Sequence, residues 1–287
     1  MELLSDIFLD TLLDCLKMLP FLLAAFLLIE ILEHYSGNIV GKVFRKIGRK
    51  GPVVGALAGC VPQCGFSVMA ANLYAGGVIS LGTLMAVFLA TSDEAVLIIL
   101  SDPDRIGEVG ILLAVKILTA VFAGYFIDVF LKNRIETGKR CERVCEHCGC
   151  HEKAAGIFLP ALRHTRKIFL YLLVFTGVLN FCVRLLGMDI LSSILLGNTI
   201  FQPVIAAVIG FIPNCASSVI LIQLYLNGAI SFAAVIAGLC TGTGVGLAVL
   251  CKVNCHKKEN VKIAGLLFIF AVMAGIILGT MEKFIGF

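Results

Sequence analysis

The sequence predicts an all-helical, polytopic membrane protein built from two copies of one folding unit, and three observations carry that prediction. Residues 52–86 (PVVGALAGCVPQCGFSVMAANLYAGGVISLGTLMA) and 203–237 (PVIAAVIGFIPNCASSVILIQLYLNGAISFAAVIA) align without a gap at a spacing of 151 positions. Hydrophobic residues make up 59% of the chain, and its mean hydropathy is +1.01. Basic residues gather in three loops, while the intervening turns are acidic or neutral. An internal repeat with matching breaks in its apolar segments is the sequence pattern of a secondary transporter.

The elements follow in order. After Glu2, Asp6, Asp10 and Asp14 comes a first apolar run over 11–32, long enough to cross about 30 Å of hydrocarbon. The acidic start is unlike the basic leader of a signal peptide, so none is expected. Glu30, Glu33 and His34 close the run beside a basic loop (Lys42, Arg45, Lys46, Arg49, Lys50) and read as an interfacial ion cluster. A long, interrupted apolar region covers 51–100, the turn SDPDR covers 101–105, and a second clean run covers 109–131. A basic stretch from Lys132 to Lys167 follows, and then the second half repeats the order: a run at 168–188, an interrupted region at 202–250, and a run at 262–281. The expected division is a first repeat at 1–136, a Cys/His-rich linker at 137–152 and a second repeat at 153–287.

Charge sets the expected orientation. The three basic loops belong in the cytoplasm, which leaves both termini outside. Residue 50 then lies inside and residue 102 outside, so the chain between them crosses an odd number of times. Two apolar blocks occupy that interval, so one of them must contain a hairpin, a re-entrant loop or a pair of short crossings. Each half also crosses an odd number of times, which turns the second upside-down relative to the first. Repeat and charge therefore agree on an inverted repeat.

The breaks are where chemistry is expected. Gly59-Cys60-Val61-Pro62-Gln63-Cys64 and Gly210-Phe211-Ile212-Pro213-Asn214-Cys215 fall at matching places. Proline opens a helix there and frees carbonyls, which hydrocarbon tolerates only where they line a cavity or lie inside protein. Gln63, Cys64 and Ser67, with their mates Asn214, Cys215 and Ser218, supply amide, thiol and hydroxyl groups for two half-sites near midplane. Thiolates are soft ligands, so Cys64 and Cys215, with Cys60 beside them, are candidate metal ligands. The competing reading is that Pro and Cys recur for packing alone.

A second break, Thr91-Ser92-Asp93-Glu94, places two carboxylates inside an apolar block. Each costs roughly 2.5–3.5 kcal/mol at the bilayer centre on insertion scales, which marks Asp93 and Glu94 as candidates for coupling or for metal ligation. Their mates are Gly244 and Val245, next to the Cys240-Thr241-Gly242-Thr243 stretch. Lys116 lies well inside its span and is expected to pair with one of the two carboxylates. All three would instead snorkel to water if they sat nearer an interface.

The linker reads Cys141-Glu142-Arg143-Val144-Cys145-Glu146-His147-Cys148-Gly149-Cys150-His151. Cys141, Cys145, His147, Cys148, Cys150 and His151 could furnish a tetrahedral thiolate and imidazole site, though the spacing is not that of a zinc finger. A merely Cys-rich linker is the alternative.

No P-loop, H-E-x-x-H, G-x-S-x-G or nucleotide fingerprint occurs, so no enzyme activity and no resident cofactor are expected. Transport would run on an ion gradient or as passive flux. The partners expected are the lipid bilayer and a metal or metalloid ion as cargo, with no nucleic acid and with a homo-oligomer left open. With its Gly59–Gly65 motif, its Asp93-Glu94 break and its Pro213-Asn214-Cys215, the whole chain resembles the ten-span heavy-metal exporters. That family is variously called arsenic efflux proteins or manganese transporters and is related to permeases that expel organoarsenicals. The resemblance implies a metal or metalloid exporter in the cytoplasmic membrane, with about five segments in each half. An anion carrier or channel that binds its solute at half-helix N-termini stays open, favoured by Lys116; a membrane sensor using the Cys/His loop would leave the repeat unexplained.

Overall fold

The computed structural model describes residues 50–61, 65–92, 95–100, 106–131, 201–213, 215–254 and 256–285, with scattered helical residues between 12 and 27 and between 162 and 178. Among the described residues the chain is helical without strands. The first half contains α1 (Gly51–Gly59), α2 (Gly65–Ala75), α3 (Leu81–Ala90), α4 (Ala95–Leu100) and α5 (Ile106–Phe130). The second contains α6 (Gln202–Gly210), α7 (Cys215–Leu226), α8 (Phe232–Thr241), α9 (Gly246–Val253) and α10 (Lys257–Ile285). Four of the five helix pairs start 151 positions apart, and α7 starts one residue early. The sequence repeat is therefore a repeat of secondary structure.

The same local chemistry ends and starts the paired helices. Pro52 and Pro203 stand in the first turns of α1 and α6, where a missing N–H costs nothing. Gly77 and Gly228 both take φ of 70°, the left-handed conformation that lets α2 and α7 stop. Val78 N–H donates to Leu73 O and Gly77 N–H to Tyr74 O; Ala229 N–H donates to Leu224 O and Gly228 N–H to Tyr225 O. These are matched Schellman closures. Ser80 and Ser231 then cap α3 and α8, accepting from Thr83 N–H at 3.1 Å and Ala234 N–H at 3.2 Å.

Glycine contacts give the helix directions. Gly51 and Gly55 of α1 lie against Thr83 of α3, and Gly59 lies against Val87 and Ala90. Ser92 N–H donates to Gly59 O at 3.2 Å. The two helices thus run parallel, starting level and ending level, so α2 must carry the chain back between them. In the second half Gln202 accepts from Ser231 at the start of α8, and Thr241 Oγ1 donates to Ala207 O at 2.7 Å near its end. The arrangement is the same. Helix α5 runs antiparallel to α3: Gly82 meets Asp128, Ala86 meets Gly124, and Thr91 meets Lys116. Gly275 of α10 meets Pro203, Ala233 and Ala237, the mates of the residues around Gly124.

Burial fits a bilayer protein. The α8–α9 segment and α3 are enclosed by the other helices, whereas α5 and α10 turn Ile111, Leu118, Phe122, Ile269 and Ile277 outward. Segments Gly107–Phe130, Phe232–Val253 and Lys257–Glu282 are long and apolar enough to cross a membrane. By contrast, nine-residue α1 and α6 rise about 14 Å at 1.5 Å per residue, about half a hydrocarbon core.

Close approach at the ends of α1 and α6 makes a stability prediction. A methyl group on Gly210 would run into the Gly238 carbonyl and the Thr241 hydroxyl, and backbone cannot move aside as a flexible side chain can. Gly210→Ala should cost about 1–3 kcal/mol, the usual penalty of overpacking. Gly107→Ala, with open space around it, should cost nothing. Thermal unfolding of both variants in detergent checks this; equal melting temperatures would contradict the parallel α6–α8 packing.

Candidate transport site

The four breaks form one place in the structure, and three kinds of bond hold them there. Within the first half, Ser92 N–H donates to Gly59 O, so the break after α1 sits beside the break after α3. Between halves, Ser67 at the start of α2 donates through Oγ to Thr243 O at 3.0 Å. Its Cβ also fills the space beside Gly246, where any side chain would collide with it. Ser218, the mate of Ser67, lies fully buried next to Gly242. Both serines singled out from sequence therefore meet the Gly242-Thr243-Gly244 break.

Lys116 is the third link. It is 1% exposed, and its Nζ donates to Thr91 O at the end of α3 and to Leu239 O, 3.1 Å away, near the end of α8. Those carbonyls belong to the last turns of two helices, where partial negative charge gathers and a cation is stabilised. One side chain of the first half thus ties together the C-terminal ends of matching helices from both halves. Its own mate is Leu267, so this tie has no counterpart. Two thiols lie near these helix ends, Cys60, half-buried just past α1, and Cys240, fully buried in the last turn of α8.

Outer contacts fix the far ends of these helices. Asp128 of α5 accepts from Gly82 N–H at 2.9 Å and from Ser80 Oγ at 2.8 Å. In the second half the task is shared: Gln202 Oε1 accepts from Ser231 N–H at 3.1 Å and Oγ at 3.0 Å, and Glu282 of α10 accepts from the Ala233 N–H. The geometry is kept while the residue types change.

Of the residues expected from sequence, Ser67, Ser218, Lys116 and Cys60 are described and gather at the breaks. Cys215 opens α7, so its backbone lies at the matching break. Gln63, Cys64, Asp93, Glu94 and Asn214 lie outside the described residues, as do Cys141, Cys145, His147, Cys148, Cys150 and His151 of the linker. Among the described residues no three His, Cys, Asp or Glu side chains come together as a metal site.

Two side-chain pairs had not been connected by sequence reasoning. Tyr74 Oη donates to Glu259 Oε1 at 2.5 Å, and Tyr225 Oη donates to Glu108 Oε2 at 2.9 Å. Tyr74 and Tyr225 are repeat mates, as are Glu108 and Glu259. Each bond joins one half to the other with the partners exchanged. The signal was present in the alignment, since all four residues survive the 151-residue shift; what it could not give was which tyrosine meets which glutamate.

An apolar membrane bundle with a polar seam between two repeated halves defines the class: a multi-span membrane transporter. The family described as "ArsP_2: Putative, 10TM heavy-metal exporter" matches the chain over residues 4–196 and 172–285, and the chain belongs to it. No curated protein and no solved structure matches.

Proposed function

We propose that the protein is a secondary active exporter of a heavy metal or metalloid across the cytoplasmic membrane, built as two inverted repeats with the cargo held where the breaks converge. The observation that carries this reading is the Lys116 tie, which links the end of α3 to the end of α8 in the middle of the bundle. Support for inversion comes from the exchanged Tyr–Glu partners, since contacts that swap under a repeat are those of a two-fold relation. Combined with the alternating loop charges, they favour an axis in the membrane plane.

In this reading α1–α2 and α6–α7 are re-entrant hairpins, one from each membrane face. Their short helices and returning direction support that role. Each half then has a first span, a hairpin, the α3–α4 or α8–α9 crossing and a long last helix. Ten apolar helical segments result, six of which cross, and both termini lie outside. The hairpin tips bring Gln63, Cys64, Asn214 and Cys215 to the centre, where Cys64 and Cys215 ligate the cargo and Cys60 stands nearby. Asp93 and Glu94, two and three residues beyond the Thr91 carbonyl that Lys116 holds, supply coupling. The 141–151 loop collects soft metal on the cytoplasmic side.

Buried Lys116 gives specific support to the other reading, in which an oxyanion is the cargo and the starts of α2 and α7 face it. The test separates the two. Everted membrane vesicles are assayed for uptake of manganese(II), arsenite and phosphate with wild type, Cys64→Ser and Cys215→Ser. Soft-metal or metalloid uptake should fall at least tenfold in both variants, since a hydroxyl does not replace a thiolate as ligand for a soft ion. Phosphate uptake that survives both substitutions would establish the anion carrier instead.

A further inference from the structure

The two exchanged Tyr–Glu bonds stand at opposite ends of two matching seams. Helix α2 lies along α9: Ser67 meets Thr243 and Gly246 at the central end, and Tyr74 reaches Glu259 in the first turn of α10 at the other. Glu259 follows the basic 252–258 stretch, so this end faces the cytoplasm by charge. In the second half α7 lies along α4, and Tyr225 reaches Glu108 in the first turn of α5. Glu108 follows the SDPDR turn, so that end faces outside. Each seam therefore runs from one membrane face to the breaks, with a hairpin from one half on one side and the other half opposite.

We propose that Tyr74–Glu259 and Tyr225–Glu108 are the two gates of this transporter, the first closing the path from the cytoplasm and the second the path from outside. This rests on the transporter reading above and adds the residues that control access to the same site. Four features favour gates over simple packing. The bonds cross between halves, so they must break whenever one half moves against the other. They occur as a symmetric pair, as two equivalent seams require. Both are closed, which describes an occluded state. Finally, Glu259 is held within its own half: Asn254 Nδ2 donates to Glu259 Oε2 at 3.5 Å and to Asn260 Oδ1 at 2.7 Å. Release of the tyrosine thus frees a hairpin while leaving the long helix in position.

Hydrogen–deuterium exchange on the full chain in lipid nanodiscs, without cargo, tests the proposal. Wild type is compared with Tyr74→Phe, Tyr225→Phe and Tyr125→Phe, the last a tyrosine outside both latches. Each latch variant removes one hydroxyl, and losing a hydrogen bond to a charged group changes an opening equilibrium by about tenfold or more. Tyr74→Phe should speed exchange about tenfold in 65–75 and 246–253 while slowing it below wild type in 95–100 and 215–226. Tyr225→Phe should do the reverse, and Tyr125→Phe should change neither seam. The opposite-direction response is the mark of gates in alternation, because a population drawn to one opening leaves the other. A variant that speeds its own seam alone, speeds both, or speeds neither overturns the proposal. Should either variant fail to insert, Glu259→Gln or Glu108→Gln, which keeps the volume and weakens the acceptor, is read in its place. A chain that moves no metal in vesicles would sink the exporter reading yet leave this exchange pattern intact.

Discussion

Lys116→Met is expected to abolish transport, with at least a hundredfold loss of flux in everted vesicles, while the protein still inserts and folds. Methionine keeps most of the aliphatic length that packs among the helices, so little cavity should form. What disappears is the ammonium and its bonds to Thr91 O and Leu239 O. A hydrogen bond from a charged group is worth about 1.5–3 kcal/mol, and the two carbonyls would be left without that donor in a dry interior. The loss falls where two helices of different halves must end at the same point, so the geometry of all four breaks should relax together. Lys116→Arg keeps the charge but brings a larger, planar head into a space filled by the ammonium, and it should recover only part of the flux. Flux is read alongside a melting curve. Wild-type flux in Lys116→Met, with melting lowered by several degrees, would reduce Lys116 to a structural tie with no place in transport.

Much of this architecture was legible in the sequence because the repeat is ungapped. Pro52, Gly59, Pro62, Gly77 and Ser80 recur at the same offset, and each is a residue whose backbone consequence can be stated without a structure. Proline starts, glycine stops and serine caps are local effects, and the helix boundaries follow them to within a residue or so. Direction was not legible: that α1 and α3 run parallel, and hence that α2 returns, depends on close approaches of Gly51, Gly55 and Gly59 to another helix. Contact between distant segments leaves no trace in local composition.

The site divides along the same line. Ser67 and Ser218 stood out as repeat mates and do lie at the breaks, yet their contacts with Thr243 and Gly242 could not be read, since a backbone carbonyl is no residue type. Lys116 was marked by its depth in an apolar run; its expected partners Asp93 and Glu94 lie outside the described residues, and its bonds to two helix-end carbonyls came from the fold. Asp128 and Gln202 show why the alignment also misleads. They secure equivalent helix starts from non-equivalent positions, so a search restricted to matched residues passes over both.

Asp93→Asn and Glu94→Gln are expected to separate cargo movement from the proton gradient. The sequence places both carboxylates next to Thr91 and Ser92, which are buried at the central break. Burying two adjacent charges there is costly, and protonating one of them relieves the cost. Lys116 supplies one positive charge at the neighbouring carbonyl, enough to balance one carboxylate and not two. In the proposed cycle one carboxylate stays ionised, and the other takes a proton from outside when the cation leaves and gives it up inside when a cation binds. The proton restores one positive charge at the site when the cation leaves, which limits the charge change in a dry interior. An imposed pH gradient, acid inside everted vesicles, should accelerate wild-type uptake several-fold. Substituting the titrating carboxylate should leave a slow flux that ignores the gradient, and substituting the paired one should cost flux as severely as Lys116→Met. Measuring all three proteins with and without the gradient assigns the two roles. Equal transport by wild type, Asp93→Asn and Glu94→Gln, with no response to pH in any, would remove this pair from coupling and leave Lys116 as the charged centre of an anion carrier.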